Sequence, residues 1–127
     1  MDMNQTNVQK ICMEIAQIHE MSLNFGEAKE YFTYACKIWE KVLKLDQSEE
    51  GYSMIIDVHL KLAEIASKNG DIDSYSILKS CEETYGFKYK DKKKRALEIK
   101  KLMVKYSEQI QDFEANYSEL IDLEVNF

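Results

Sequence analysis

Residues 26–45 read GEAKEYFTYACKIWEKVLKL, and the spacing of apolar letters in that stretch decides the fold class. Ala28, Tyr31, Phe32, Ala35, Ile38, Trp39, Val42 and Leu43 recur at steps of three and four. That is the period of one face of an α-helix, and a face so apolar must be buried against other elements. Working outward, residues 5–24 place Val8, Ile11, Cys12, Ile15, Ile18 and Leu23 on one stripe, expected to face the core. Residues 47–69 do the same with Tyr52, Ile55, Ile56, Leu60, Ala63 and Ala66, and Asp46 with Glu49 resembles a capping box ahead of them. Gly70-Asp71 reads as a tight turn into a helix over 72–85 carrying Ile72, Tyr75, Leu78, Cys81 and Tyr85. No two-residue alternation competes. The expectation is an all-α chain whose residues 1–87 form a module of two antiparallel helical hairpins.

Composition agrees. The chain has 127 residues, 45% of them hydrophobic and 31% charged, which suits one globular helical domain. It has no proline, and its four glycines (Gly26, Gly51, Gly70, Gly86) lie near the gaps between helical segments. No apolar run approaches the roughly 18 residues that cross a bilayer, and the N-terminus lacks the basic and apolar blocks of a signal peptide. Cys12, Cys36 and Cys81 are widely spaced, with no CxxC, as expected of reduced thiols in a cytoplasmic compartment. Each falls on an apolar stripe, where a thiol acts as a small hydrophobe.

Residues 88–127 read differently. Ala96, Ile99, Met103, Tyr106, Ile110, Phe113, Tyr117 and Leu120 follow alternating steps of three and four, a heptad seam. One long coiled-coil-like helix of about 35 residues fits that seam, and a break near Ser107–Gln109 is the alternative. Charge is segregated along the chain: residues 88–105 hold 9 basic and 2 acidic side chains, and residues 108–127 hold 6 acidic and none basic. Two copies packed antiparallel would match these blocks, so an antiparallel homodimer is one arrangement of the seam. Packing on the chain's own hairpins or on a partner's helix is the other.

The hairpins resemble tetratricopeptide-type repeats. Ile15-Ala16 stands at the family's Leu-Gly pair and His19 at its Tyr, and Ala28, Phe32 and Ala35 follow its small–aromatic–small signature. In the second hairpin Leu62-Ala63, Ala66 and Gly70-Asp71 match the first helix and turn, while Tyr75, Lys79 and Glu82 replace the second-helix signature. Ala16 and Ala63 are 47 positions apart, against about 34 in the family, nearer to its longer-helix variants. The resemblance implies a concave groove lined by the first helix of each pair, presenting Lys10, Met13, Gln17 and Glu20, then Asp57, Lys61 and Glu64, to a peptide or a partner's helix. The same residues on amphipathic helices without a groove would be solvated faces.

Little in the sequence points to chemistry. His19 and His59 form no metal spacing and no local dyad with a cysteine, and no glycine-rich phosphate loop is present. No cofactor or metal is expected, and no enzymatic activity. The basic run Lys88, Lys90, Lys92, Lys93, Lys94, Arg95 reads as a solvated helix start or a contact for an acidic protein surface. Nucleic acid or a membrane is disfavoured as its target, because the rest of the chain is acidic and no base-reading motif accompanies it. The function expected is a non-enzymatic scaffold or adaptor, a small subunit of a larger assembly of cytoskeletal or ciliary type. The alternative is a regulatory peptide- or protein-sensing module of a bacterial signalling system.

Overall fold

A computed structural model describes the backbone of residues 3–45, 49–85, 92–107 and 113–126, and the side chains of 8–44, 50–85, 93–107 and 117–125. Among the described residues the chain is all α. Six helices follow one another: α1 (Met3–Met21), α2 (Phe25–Leu45), α3 (Glu49–Lys68), α4 (Ser74–Tyr85), α5 (Lys92–Tyr106) and α6 (Phe113–Asn126). Each packs on the next, and α3 also touches α5. The Asp46–Glu49 capping box and Gly86 lie outside the described residues. Gly51 sits in the first turn of α3, where it is buried.

The two described turns are built alike. After α1 the Asn24 N–H donates to the His19 carbonyl at 2.8 Å and the Leu23 N–H to that of Glu20 at 3.0 Å. After α3 the Asp71 N–H donates to Ala66 and the Gly70 N–H to Ser67, both at 3.0 Å. This paired pattern closes a helix by turning one residue left-handed, and Leu23 (φ 62°) and Gly70 (φ 82°) take that conformation. The chain thus reverses within three residues after α1 and five after α3, and the two turns lie side by side. Lys29 at the start of α2 ion-pairs with Asp71 at 3.0 Å and Asp73 at 2.9 Å, and the Lys68 ammonium stands 5.8 Å from the centre of the Phe25 ring.

The core has two parts. Ala16, Ala28, Phe32, Ala35, Cys36, Trp39, Val42 and Leu43 pack with Ile55, Val58, Leu62 and Ile65 across α1, α2 and α3. Ile56, Ala63, Tyr75, Leu78 and Cys81 pack with Ile99, Met103 and Tyr106 across α3, α4 and α5, so buried contacts continue past residue 88. The Ser74 hydroxyl, fully buried, donates to the Ala63 carbonyl at 2.8 Å and ties the start of α4 to α3.

Two expectations need correction. The first concerns which face of α1 is inward. Val8, Ile11, Ile18 and Leu23 are exposed, at 46, 53, 61 and 73%, while Gln9 and Ala16 are fully buried and Cys12 and Met13 lean on the core. Steric fit explains the choice. Ala16, Ala28 and Ala35 share one buried cluster, and such small residues let helix axes approach closely, whereas a row of branched side chains would hold them apart.

The second concerns the C-terminal segment, which is not one long helix. Lys100 of α5 ion-pairs with Glu119 of α6. Nineteen residues of straight helix would separate them by about 28 Å. The chain therefore folds back, and α6 packs on α5. The physical reason is where the seam is used. Ala96, Ile99, Met103 and Tyr106 are buried in the chain's own core, which is the alternative to pairing with another helix. Ile110 lies outside the described residues, as does the side chain of Phe113; Tyr117 is half exposed and Leu120 half-buried.

Candidate partner-binding site

The first helices of successive pairs, α1, α3 and α5, share one face, joined by ion pairs. Glu20 of α1 accepts from Lys61 at 2.8 Å and lies 3.5 Å from Lys68, both on α3. Lys61 and Lys68 in turn meet Glu64 at 3.7 and 3.1 Å. Farther toward the N-terminus of α3, Asp57 meets Arg95 of α5 at 2.6 Å. Three of the seven groove residues read from the sequence, Glu20, Lys61 and Glu64, are thus brought into one network. Asp57 is on the same face, bound to the next helix. Lys10 and Gln17 are exposed and outside this network, and Met13 packs on the core.

Between α3 and α5 the face sinks into an open cleft of about 520 Å3. Leu60, Leu102 and Tyr106 give its apolar lining, and Asp57, Lys61, Glu64, Lys68 and Lys105, with Ser67, its polar one. Burial alone would raise the Glu64 carboxyl, but the hydrogen bond from Lys68 and the charge of Lys61 hold it below its usual range. Burial raises the pKa of the Tyr106 hydroxyl, so that side chain stays neutral. An apolar floor ringed by charges, four of them (Asp57, Lys61, Glu64 and Lys68) held in ion pairs, suits contact with a chain segment.

The basic run divides. Arg95 is 7% exposed and structural: besides Asp57 it donates to Glu98 at 2.7 Å and to the Ser53 carbonyl at 2.8 Å. Its place in an exposed basic patch is therefore withdrawn, because its charge is neutralised inside the fold. Lys93 and Lys94 are exposed. Lys88 and Lys90 lie outside the described residues, as does the side chain of Lys92.

The histidine and cysteine side chains are arranged for packing. His59 stands beside Cys36, with Nδ1 4.0 Å from Sγ. Nδ1 also lies 2.8 Å from the Ile55 carbonyl. A carbonyl only accepts, so Nδ1 carries the hydrogen and cannot take the thiol's proton. Burial, with Glu40 adding to it, pushes the Cys36 thiol up to about 12, and burial does the same to Cys81. A smaller recess of about 240 Å3 is lined by Glu40, Leu43, Lys44, Tyr52 and Tyr85, from α2, α3 and α4. Among the described residues no group of three metal-ligating side chains occurs, and no helix is long and apolar enough to cross a membrane.

The sequence assigns Leu60 to the core stripe and Tyr106 to the seam rather than to this cleft, and does not single out Ser67, Lys68, Leu102 or Lys105. The available signal is local: Leu102, Lys105 and Tyr106 fall about one turn apart, on one side of the helix 92–106. Comparison with protein-family models, curated proteins and solved structures gave no match.

Proposed function

We propose that this protein is a non-enzymatic binding module of helical-repeat type, a scaffold or adaptor that holds a peptide or a partner's helix in the α3–α5 cleft. The observation that carries the reading is the cleft's position. It lies on the face shared by α1, α3 and α5, where the tetratricopeptide-like resemblance puts its groove, and is lined by Asp57, Lys61 and Glu64. Three successive helix pairs also meet the number that a stacked repeat needs to cover its core. Selection of displayed random peptides on the immobilised chain tests the reading. Enriched peptides should lose binding to Ser67→Trp, which fills the cleft from a half-buried position, with the helical circular dichroism unchanged. Peptides that bind Ser67→Trp as well as the parent chain would refute it.

A further inference from the structure

The exposed side of α1 carries a row of branched apolar side chains that the fold leaves uncovered. Val8, Ile11 and Ile18 are 46, 53 and 61% exposed, with Ile15 half-buried in line with them. Isolated exposed aliphatics are ordinary, but four at heptad steps on one helix form a stripe of the kind that pairs with another helix. We propose that this stripe is a homodimer interface, in which α1 of a second copy packs antiparallel across it about a two-fold axis near residue 13.

Two properties of the stripe select a second copy as its occupant. Its spacing of three, four and three is the same read in either direction. A two-fold axis therefore sets Val8 against Ile18 of the second copy and Ile11 against its Ile15, the self-complementarity that a closed dimer requires. The charges beside the stripe are also self-complementary in this orientation, which sets one flank against the same flank of the second copy. Lys10 and Glu14 lie one turn apart on the same flank, both exposed and without an ion-pair partner among the described residues. The antiparallel arrangement brings each Lys10 within about 3 Å, along the axis, of the other copy's Glu14. A parallel one would turn this flank toward the opposite flank of the other copy, where Cys12 lies, and leave both charges without a counter-charge. The face is neutral within a chain of net charge −6, so the rest of the molecule's acidity does not oppose close approach there.

Equilibrium sedimentation of the full chain, over a series reaching about 100 µM, tests the proposal. Twice the monomer mass is expected. Ile11→Lys with Ile18→Lys should raise the dissociation constant at least about tenfold, and because both positions are exposed the circular dichroism should not change. Lys10→Glu should weaken the dimer, and Lys10→Glu with Glu14→Lys should restore it. Ser67→Trp, which fills the cleft, should leave it intact, so this interface and the cleft stand or fall separately. A monomer throughout the series overturns the proposal, as does a dimer indifferent to the isoleucine changes. Failure of the charge exchange to restore association overturns the antiparallel register.

Discussion

Leu23 and Gly70, 47 positions apart, occupy the same place in two successive helix turns, both left-handed, at φ 62° and 82°. Ala16 and Ala63, also 47 apart, are both fully buried on the helices that lead into those turns. Only one of the two turns has the residue its backbone favours. Leu23 pays a left-handed penalty of about 1–2 kcal/mol, while its side chain, 73% exposed, recovers little by burial. Leu23→Gly should stabilise the protein by roughly 0.5–1 kcal/mol, the penalty removed less the freedom glycine regains when unfolded. Gly70→Ala should cost about 1 kcal/mol through backbone strain alone, since an added Cβ meets nothing within 4 Å. Urea denaturation of both variants measures this, and a Leu23→Gly midpoint at or below the parent's refutes the first.

Lys100 is 2% exposed and held between Glu82 of α4, at 2.8 Å, and Glu119 of α6. Burial works against its charge, but the two carboxylates outweigh that and raise its pKa above 10.5. Glu82→Gln with Glu119→Gln leaves a buried ammonium without a counter-charge and should cost about 3–5 kcal/mol. Lys100→Met should cost less, because the stem still packs and Glu119, 61% exposed, returns to water. Chemical denaturation that ranks the two changes in the opposite order would show that α6 is not held this way.

On α1 the exposed and buried positions should respond oppositely to substitution. Measured at concentrations low enough for monomers, Ile11→Lys and Ile18→Lys should each change folding stability by no more than about 0.5 kcal/mol. Ala16→Ile adds volume at a fully buried position of the α1–α2–α3 core and should cost about 1–3 kcal/mol. Thermal melts distinguish this from the inward apolar stripe expected of the sequence, for which the isoleucines would be the costly sites.

The three thiols should react in order of burial. Cys36 and Cys81, buried and with thiols pushed up to about 12, should resist a thiol-specific reagent in the native protein at pH 8 and react only on unfolding. Half-buried Cys12 should react first. Counting modified thiols by mass spectrometry checks this, and rapid native labelling of Cys36 would reopen a catalytic reading of its place beside His59.

Acid should weaken the fold in a defined window. Hydrogen bonds from Asn69 and Lys29 hold Asp71 below its ordinary 3.8, and Lys68 with Lys61 hold Glu64 below its ordinary 4.5 against the pull of burial. In both cases the unfolded chain binds more protons in the interval between the two values, so stability rises with pH there. The contribution is complete above 4.5 and is lost as pH falls through the lower, folded-state values. The urea midpoint followed downward from pH 6 should show the loss, and Glu64→Gln should flatten it. A parent chain with no change in midpoint below pH 4.5 contradicts the ion pairs around Glu64 and Asp71.

Much of the fold is legible in the order of residues. Ala28, Phe32, Ala35 and Trp39 at helical steps, Gly70 at a turn and the absence of proline settle helix type, and bring the first four helices within a few residues of their observed ends, because these are local properties. That Glu20, Lys61 and Glu64 share a face is what the tetratricopeptide-type resemblance implies, and the three side chains do meet in one ion-pair network. Three things were decided only in three dimensions. Which side of α1 turns inward depends on closeness of fit against Ala28 and Ala35, where small Ala16 wins over the more hydrophobic Ile11 and Ile18. Whether residues 88–127 run straight depends on whether Ile99 and Met103 find a better partner in Tyr75 and Leu78 than in another chain. Arg95 and Lys100 belong to a basic block by sequence, yet are buried by carboxylates 38 and 19 residues away. Helical period records a side chain's direction from its own axis. It holds no information about which neighbour arrives there, and that choice belongs to packing and to charge pairing at long range.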